Sequence, residues 1–171
     1  MDKILIATTP RTGSNLLMFS LEQHSLAICG GEWWNEEEIF CYPVHWENKT
    51  HRADKVNLAK VLHGEKLLHG YAILHLFRED VNAQIASWQR ACETGIWIKD
   101  GTPYPTDFPI DCEQRITSAN KTFRPLAKLS LSYEDMVDDW GHSMWRIQRT
   151  FGWPCESFAQ ATERLTRKTH K

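Results

Sequence analysis

Near the amino terminus the run Leu5-Ile6-Ala7-Thr8-Thr9-Pro10-Arg11-Thr12-Gly13-Ser14-Asn15-Leu16-Leu17 passes from a short apolar strand, through a turn carrying arginine, glycine and hydroxyls, into a helix. That order builds an anion cradle. The first N–H groups of a helix have no intrahelical partner and lie at the positive end of its dipole, which suits phosphate or sulfate, and Arg11 adds a charge-assisted contact. Gly13 lets the backbone approach the anion closely. The run is not a Walker A loop: the pattern G-x-x-x-x-G-K-[ST] requires a glycine where Thr8 stands and a lysine where Ser14 stands.

A second constellation spans Tyr71 to Ala91, where the apolar stretch Tyr71-Ala72-Ile73-Leu74-His75-Leu76-Phe77 ends at Arg78 and a helical pattern follows. Arg78 therefore sits at the carboxyl end of a strand, the edge on which open α/β sheets bind ligands. The helical rise puts Ser87 about 10 Å beyond a helix start at Asp80, so Arg78 and Ser87 meet one phosphate only along the helix flank. Gln84, Ser87 and Ala91 share that flank.

The rest of the chain continues the alternation. Strands are expected at Lys3 to Thr8, Leu26 to Cys29, Tyr71 to Phe77 and Lys128 to Ser132; helices at Gly13 to Gln23, Lys55 to Leu62, Asp80 to Glu93, Asp111 to Phe123 and Gly141 to Phe151. Asp80 is a suitable N-cap, Thr94-Gly95 a stop, and Pro125 ends the fourth helix. The stretch 98–110, in which Asp100 to Pro109 holds three prolines and one glycine, reads as a loop or lid. Strands alternating with helices imply parallel βαβ units and a three-layer α/β fold. A length of 171 residues with 42% apolar content fits one domain, 1–171, with a basic carboxyl-terminal segment at 155–171.

The charge balance excludes other classes. A net charge of −2 gives no basic field for nucleic acid. No run of 18 apolar residues is present to insert in a membrane, and the amino terminus reads as strand and turn rather than as an export signal. Five widely spaced cysteines without a C-x-x-C pair argue against a disulfide framework or zinc site and suit a reducing cytoplasm. His63, His69 and His75 recur every six residues, a spacing that matches no metal-ligand pattern.

Together the two motifs resemble the sulfotransferase family. PRTGSNLL is similar to the family's loop for a 5′-phosphosulfate, and FREDVNAQIASWQRA to its 3′-phosphate site, the latter closest to the bacterial branch acting on carbohydrates such as trehalose. A third segment, Leu131-Ser132-Tyr133-Glu134-Asp135-Met136 with Met144, Ile147, Phe151 and Gly152 after it, is similar to the family's YEDM-type strand and helix. The resemblance covers 3–36, 70–97 and 128–154, and the chain is shorter than typical members. Acceptor-side elements are then trimmed, missing, or supplied by a second subunit of a homodimer.

What the resemblance implies is a P-loop-NTPase-like fold, a central parallel sheet with helices on both faces, carrying transfer of a sulfuryl group from 3′-phosphoadenosine 5′-phosphosulfate (PAPS) to a hydroxyl of a small acceptor. 3′-Phosphoadenosine 5′-phosphate (PAP) is the product, and no metal is needed. Arg11 takes the role often filled by lysine, clamping the leaving phosphate; Thr12, Gly13, Ser14 and Asn15 complete the cradle. Arg78 and Ser87 meet the 3′-phosphate, Tyr133 the adenine, and the pair Arg167 and Lys168 also falls to the 3′-phosphate. In the carbohydrate branch a glycine-glutamate pair followed by another glutamate supplies the general base. Glu32 matches the first, Asn35 or Glu36 the second, and His45 is a reserve because the cytosolic branch uses histidine. Trp33 and Trp34 offer flat apolar rings to a carbohydrate or glycolipid and raise a neighbouring glutamate pKa by desolvation. Two other readings stay open: a small-molecule or nucleotide kinase with a modified phosphate loop, and a non-catalytic nucleotide-binding protein.

Overall fold

The computed structural model describes residues 2–32, 51–57, 70–97 and 105–161. Five strands, β1 (Asp2–Thr8), β2 (Ala27–Glu32), β3 (His51–Asn57), β4 (Ala72–Phe77) and β5 (Leu129–Ser132), form one sheet in the order β2-β3-β1-β4-β5. All neighbouring pairs are parallel, with Leu5 opposite both Asp54 of β3 and Ile73 of β4. Every strand therefore delivers its carboxyl end to the same edge.

The helices are α1 (Ser14–Leu21), α2 (Val81–Thr94), α3 (Cys112–Phe123), α4 (Tyr133–Asp138) and α5 (Trp140–Phe151), with a 3-10 turn at Arg124–Leu126. Period-two alternation in the strands decides which helix covers which face. Ile4 and Ile6 of β1, Leu74 and Leu76 of β4 and Leu131 of β5 point one way, into a core with Leu17 and Leu21 of α1, Met136 of α4 and Ile147 of α5. Leu5, Ala7 and Ile73 point the other way, against Ala119 and Phe123 of α3. Trp88 and Cys92 of α2 then pack with Cys112 and Ile116 of α3. The result is the three-layer α/β architecture expected from the alternation of elements. Each large side chain buried completely here contributes about 1.5–3 kcal/mol.

Local chemistry ends the helices where the residues indicated. Asp80 accepts the Ala83 N–H at 2.8 Å to cap α2, and Gly95 closes it at φ 69°. Ser132 and Asp139 cap α4 and α5 by accepting the N–H groups of Asp135 and His142, and Gly152 closes α5 at φ 74°. The helix expected over Lys55 to Leu62 is corrected in its first part, because Lys55 to Asn57 belong to β3. Hydrogen bonding to β1 on one side and β2 on the other overrides the local preference of a polar segment. The strand expected over Lys128 to Ser132 is β5, and Tyr133 directly after it is the first residue of α4.

Two polar details stiffen this frame. His75, fully buried in β4, has Nε2 3.1 Å from Asn120 Oδ1 of α3 and Nδ1 3.5 Å from Ser130 Oγ, with its ring stacked on Phe77. The segment 153–161 is strapped across α1 and α5. Gln148 accepts the Glu156 N–H at 2.6 Å and donates to its carbonyl at 3.0 Å, Trp140 Nε1 donates to the Phe158 carbonyl, and the Ala161 N–H donates to Ser20 Oγ.

Candidate functional site

β1 lies between β3 and β4, and the connections that leave β1 and β4 run to opposite faces: α1 follows β1 on one, and α2 with α3 follows β4 on the other. The carboxyl ends of β1 and β4 thus form a topological switch point, where open α/β sheets leave a crevice for ligand. Adjacent strands are about 4.8 Å apart, so residues leaving β1 and β4 are neighbours from the outset.

The turn after β1 has two left-handed residues, Arg11 at φ 66° and Gly13 at φ 79°. Gly13 N-caps α1, whose first intrahelical bond runs from the Leu17 N–H to the Gly13 carbonyl. Gly13 is required twice over: its φ favours glycine, and a Cβ there would stand 2.6 Å from Cε2 of the Tyr133 ring. Thr12 is fully buried, with its hydroxyl donating to the Thr9 carbonyl at 3.1 Å and in contact with the Thr8 hydroxyl, so it braces the turn from within. Ser14, also buried, opens α1.

Helix α2 grips this turn from the other side. Gln84 donates from Nε2 to Thr9 Oγ1 at 2.8 Å and to the Pro10 carbonyl at 2.6 Å. Arg11 Nε donates to Ser87 Oγ at 3.0 Å, and its Nη1 to the Trp97 carbonyl at 2.7 Å. Burial, with the neighbouring charge of Arg78, lowers the Arg11 pKa from its ordinary value, yet a guanidinium stays charged at any physiological pH. Two cations are therefore held near each other in a partly dry crevice, an arrangement that an anion between them relieves.

Arg78 follows β4 and crosses the Tyr133 ring at 5.0 Å from its centroid. Its Nε is buried, has no hydrogen bond among the described residues, and faces Glu134 Oε1 at 3.4 Å. Glu134 also accepts the N–H groups of Glu79 at 3.0 Å and Asp80 at 3.4 Å. Burial pushes the Glu134 pKa up, but those N–H groups, its own N–H and the Arg78 charge outweigh it and hold the carboxyl below its ordinary value. Glu134 thus occupies the kind of donors that an anionic ligand uses.

The sites read from the sequence fall into three groups. Arg11, Thr12, Gly13, Ser14, Asn15, Arg78, Ser87 and Tyr133, from three distant segments, come together around the β1–β4 crevice. Glu32 ends β2 on the same edge of the sheet, two strands from β1 and so about 10 Å away by strand spacing. Trp33, Trp34, Glu36, His45, Arg167 and Lys168 lie outside the described residues. Sequence reasoning missed the grip of Gln84 on the turn, although an amide on the flank shared with Ser87 was a usable signal. It also missed Glu134 as the partner of Arg78, for which no local signal exists.

No protein-family model matches the chain, and no curated protein matches it. Among solved structures it is similar to mouse sulfotransferase SULT7A1 complexed with PAP, with a TM-score of 0.60 at 14% identity over 99% of this chain. The fold is the sulfotransferase fold. The similarity covers 65% of the SULT7A1 chain, so the present chain spans just under two thirds of that protein's length. In this sulfotransferase fold the left-handed turn after β1, the Arg78 exit of β4 and Tyr133 share the sheet's carboxyl edge. Among the described residues no helix is long and apolar enough to cross a membrane.

Proposed function

We propose that the chain is a sulfotransferase that uses PAPS as sulfuryl donor and a hydroxyl of a small acceptor, with carbohydrate or glycolipid as the favoured acceptor class. The single observation that carries this reading is the convergence of Arg11 and Arg78 from separate strand ends on one crevice, beside a helix start whose N-cap, Gly13, brings no side-chain cap. The fold shared with a PAP-bound sulfotransferase supports it.

The residues present fit a nucleotide carrying phosphate at both ends. The buried Arg78 Nε, without a hydrogen bond among the described residues, is suited to the 3′-phosphate, and Tyr133 offers a ring to the adenine. Arg11, with the N–H groups opening α1, is suited to the 5′ end. When bound, PAPS supplies the sulfuryl group, which passes to the acceptor oxygen as the bridging oxygen leaves with the 5′-phosphate. Such transfers need in-line positioning and stabilisation of charge on peripheral and leaving oxygens, with little covalent work for the protein. Arg11 supplies fixed positive charge and a fork for two oxygens, but no dissociable proton at working pH. The family resemblance offers Glu32, Glu36 or His45 as base on the nucleophile side, Trp33 and Trp34 as apolar rings for the acceptor, and Arg167 and Lys168 as further charge for the 3′-phosphate. Glu32 suits the base because its strand ends on the same edge of the sheet as the crevice.

The test is a thermal-shift titration with PAP beside ADP and ATP with magnesium. At about 100 times its dissociation constant a specific ligand adds roughly 2.7 kcal/mol, raising the midpoint by about 5–10 °C for a domain of this size. A shift with PAP alone is expected. A shift only with ADP or ATP would replace the reading with a kinase, and donor binding without turnover on any hydroxyl compound would leave a non-catalytic nucleotide-binding protein.

A further inference from the structure

Gln84 is fully buried near the start of α2, and both N–H bonds of its amide go to the turn that carries Arg11. The Pro10 carbonyl can only accept, so the 2.6 Å contact fixes which end of the amide faces it. Gln84 Oε1 is then left buried without a hydrogen bond among the described residues. An apolar side chain of the same size would avoid that cost but would leave the Pro10 carbonyl and the Thr9 hydroxyl without this donor, so the amide is accounted for by the turn it holds.

The position of the bonds explains the choice. The Pro10 carbonyl belongs to the peptide plane joining Pro10 to Arg11, and the tilt of that plane is set in part by Arg11 φ. That φ is 66°, a left-handed value that residues bearing a Cβ seldom adopt. Something must hold it, and Gln84 is bonded to the plane itself. One helical turn later the same face of α2 presents Ser87, which accepts from Arg11 Nε at 3.0 Å. Gln84 fixes the backbone from which the guanidinium departs, and Ser87 with the Trp97 carbonyl fixes where it arrives.

We propose that Gln84 is a positioning residue: by holding the Pro10 carbonyl and the Thr9 hydroxyl it sets the left-handed turn at Arg11 and aims that guanidinium at the 5′-phosphate of the donor. The aim at a 5′-phosphate rests on the PAPS reading above; the hold on Arg11 does not.

The experiment compares two probes, PAP and adenosine 3′-phosphate, which differ only at the 5′ position, by titration calorimetry on the parent, Gln84→Leu and Thr9→Val. Gln84→Leu is expected to weaken PAP binding about tenfold or more while leaving adenosine 3′-phosphate within about twofold. Thr9→Val, which removes one of the two bonds, should shift the same ratio by less, and keeps the test open should Gln84→Leu fail to fold. A general loss of structure weakens both probes alike; that result, or undiminished PAP binding, overturns the proposal. A second readout needs no ligand. The Arg11 Nε–H resonance, assigned by its disappearance in Arg11→Lys, should exchange with water faster in both variants than in the parent, and unchanged exchange overturns the hold on Arg11. A parent that does not prefer PAP over adenosine 3′-phosphate would instead sink the donor reading, with the exchange measurement still deciding the role of Gln84.

Discussion

Gly13→Ala tests whether the cradle and the Tyr133 ring form one packed unit. At φ 79° an alanine suffers the left-handed penalty, about 1–2 kcal/mol. Its Cβ would also lie 2.6 Å from Cε2 of Tyr133, a ring backed by Arg78 at 5.0 Å from its centroid and so not free to swing aside without disturbing that arginine. Overpacking of this kind costs about 1–3 kcal/mol, giving about 2–5 kcal/mol in all. For a domain of this length each kcal/mol moves the midpoint about 2–4 °C, so calorimetry should record a fall of about 4–20 °C. PAP affinity should fall with it, because both ends of the proposed nucleotide site are displaced together. In a Tyr133→Ala background only the backbone part, about 1–2 kcal/mol, should remain, the difference being the coupling between the two positions. A midpoint within about 2 °C of the parent, with PAP binding unchanged, would refute the packing argument.

Three further outcomes are expected. Arg78→Ala should weaken PAP binding about 10–100-fold by calorimetry, the worth of hydrogen bonds to a charged group, and leave adenosine binding almost unaltered; parent-like PAP affinity would remove Arg78 from the 3′-phosphate site. Glu134→Gln should tighten PAP binding by up to about fivefold, since it removes a competing anion from Arg78 at the scale of a partly exposed ion pair, and weaker binding would mean that Glu134 orients Arg78 instead. His75 has its pKa lowered from 6.5, by burial first and by the Arg124 charge, against the raising effect of its Asn120 bond. The unfolded chain therefore binds the proton more readily, and this contribution to stability is complete above pH 6.5 and declines as pH falls from there toward the depressed folded value. Urea midpoints should drop over that window in the parent and flatten in His75→Gln; equal slopes would show that another group is responsible.

Much of the fold was determined by short-range features of the sequence. The continuous apolar runs of β1 and β4, the capping carboxylate of Asp80, and the glycines at 95 and 152 act within a few residues of themselves, and their consequences stand where the residue pattern put them. So does the strand-turn-helix run through Arg11 and Gly13, because left-handed turns and helix starts are local events. What escaped is what depends on partners far along the chain. β3 carries few apolar residues, HRADKVN, and becomes a strand because β1 and β2 satisfy its backbone on both sides. The segment 153–161 shows no apolar period and is held by Gln148, Trp140 and Ser20.

The site divides along the same line. The sequence by itself determined which residue types would meet an anion, since a guanidinium at a strand end and a glycine before a helix carry that chemistry wherever the chain places them. Only the tertiary structure decided whom each one touches. Glu79 and Asp80 stand next to Arg78 in the chain, yet its carboxylate is that of Glu134, 56 residues on, which lies in α4 directly after β5 and so beside the end of β4, because β4 and β5 are parallel neighbours. The Ser87 hydroxyl meets Arg11 and the Tyr133 ring covers Gly13 for the same reason. Parallel strands collect their carboxyl ends on one edge, so residues remote in sequence become neighbours by sheet order, a quantity set by nonlocal pairing.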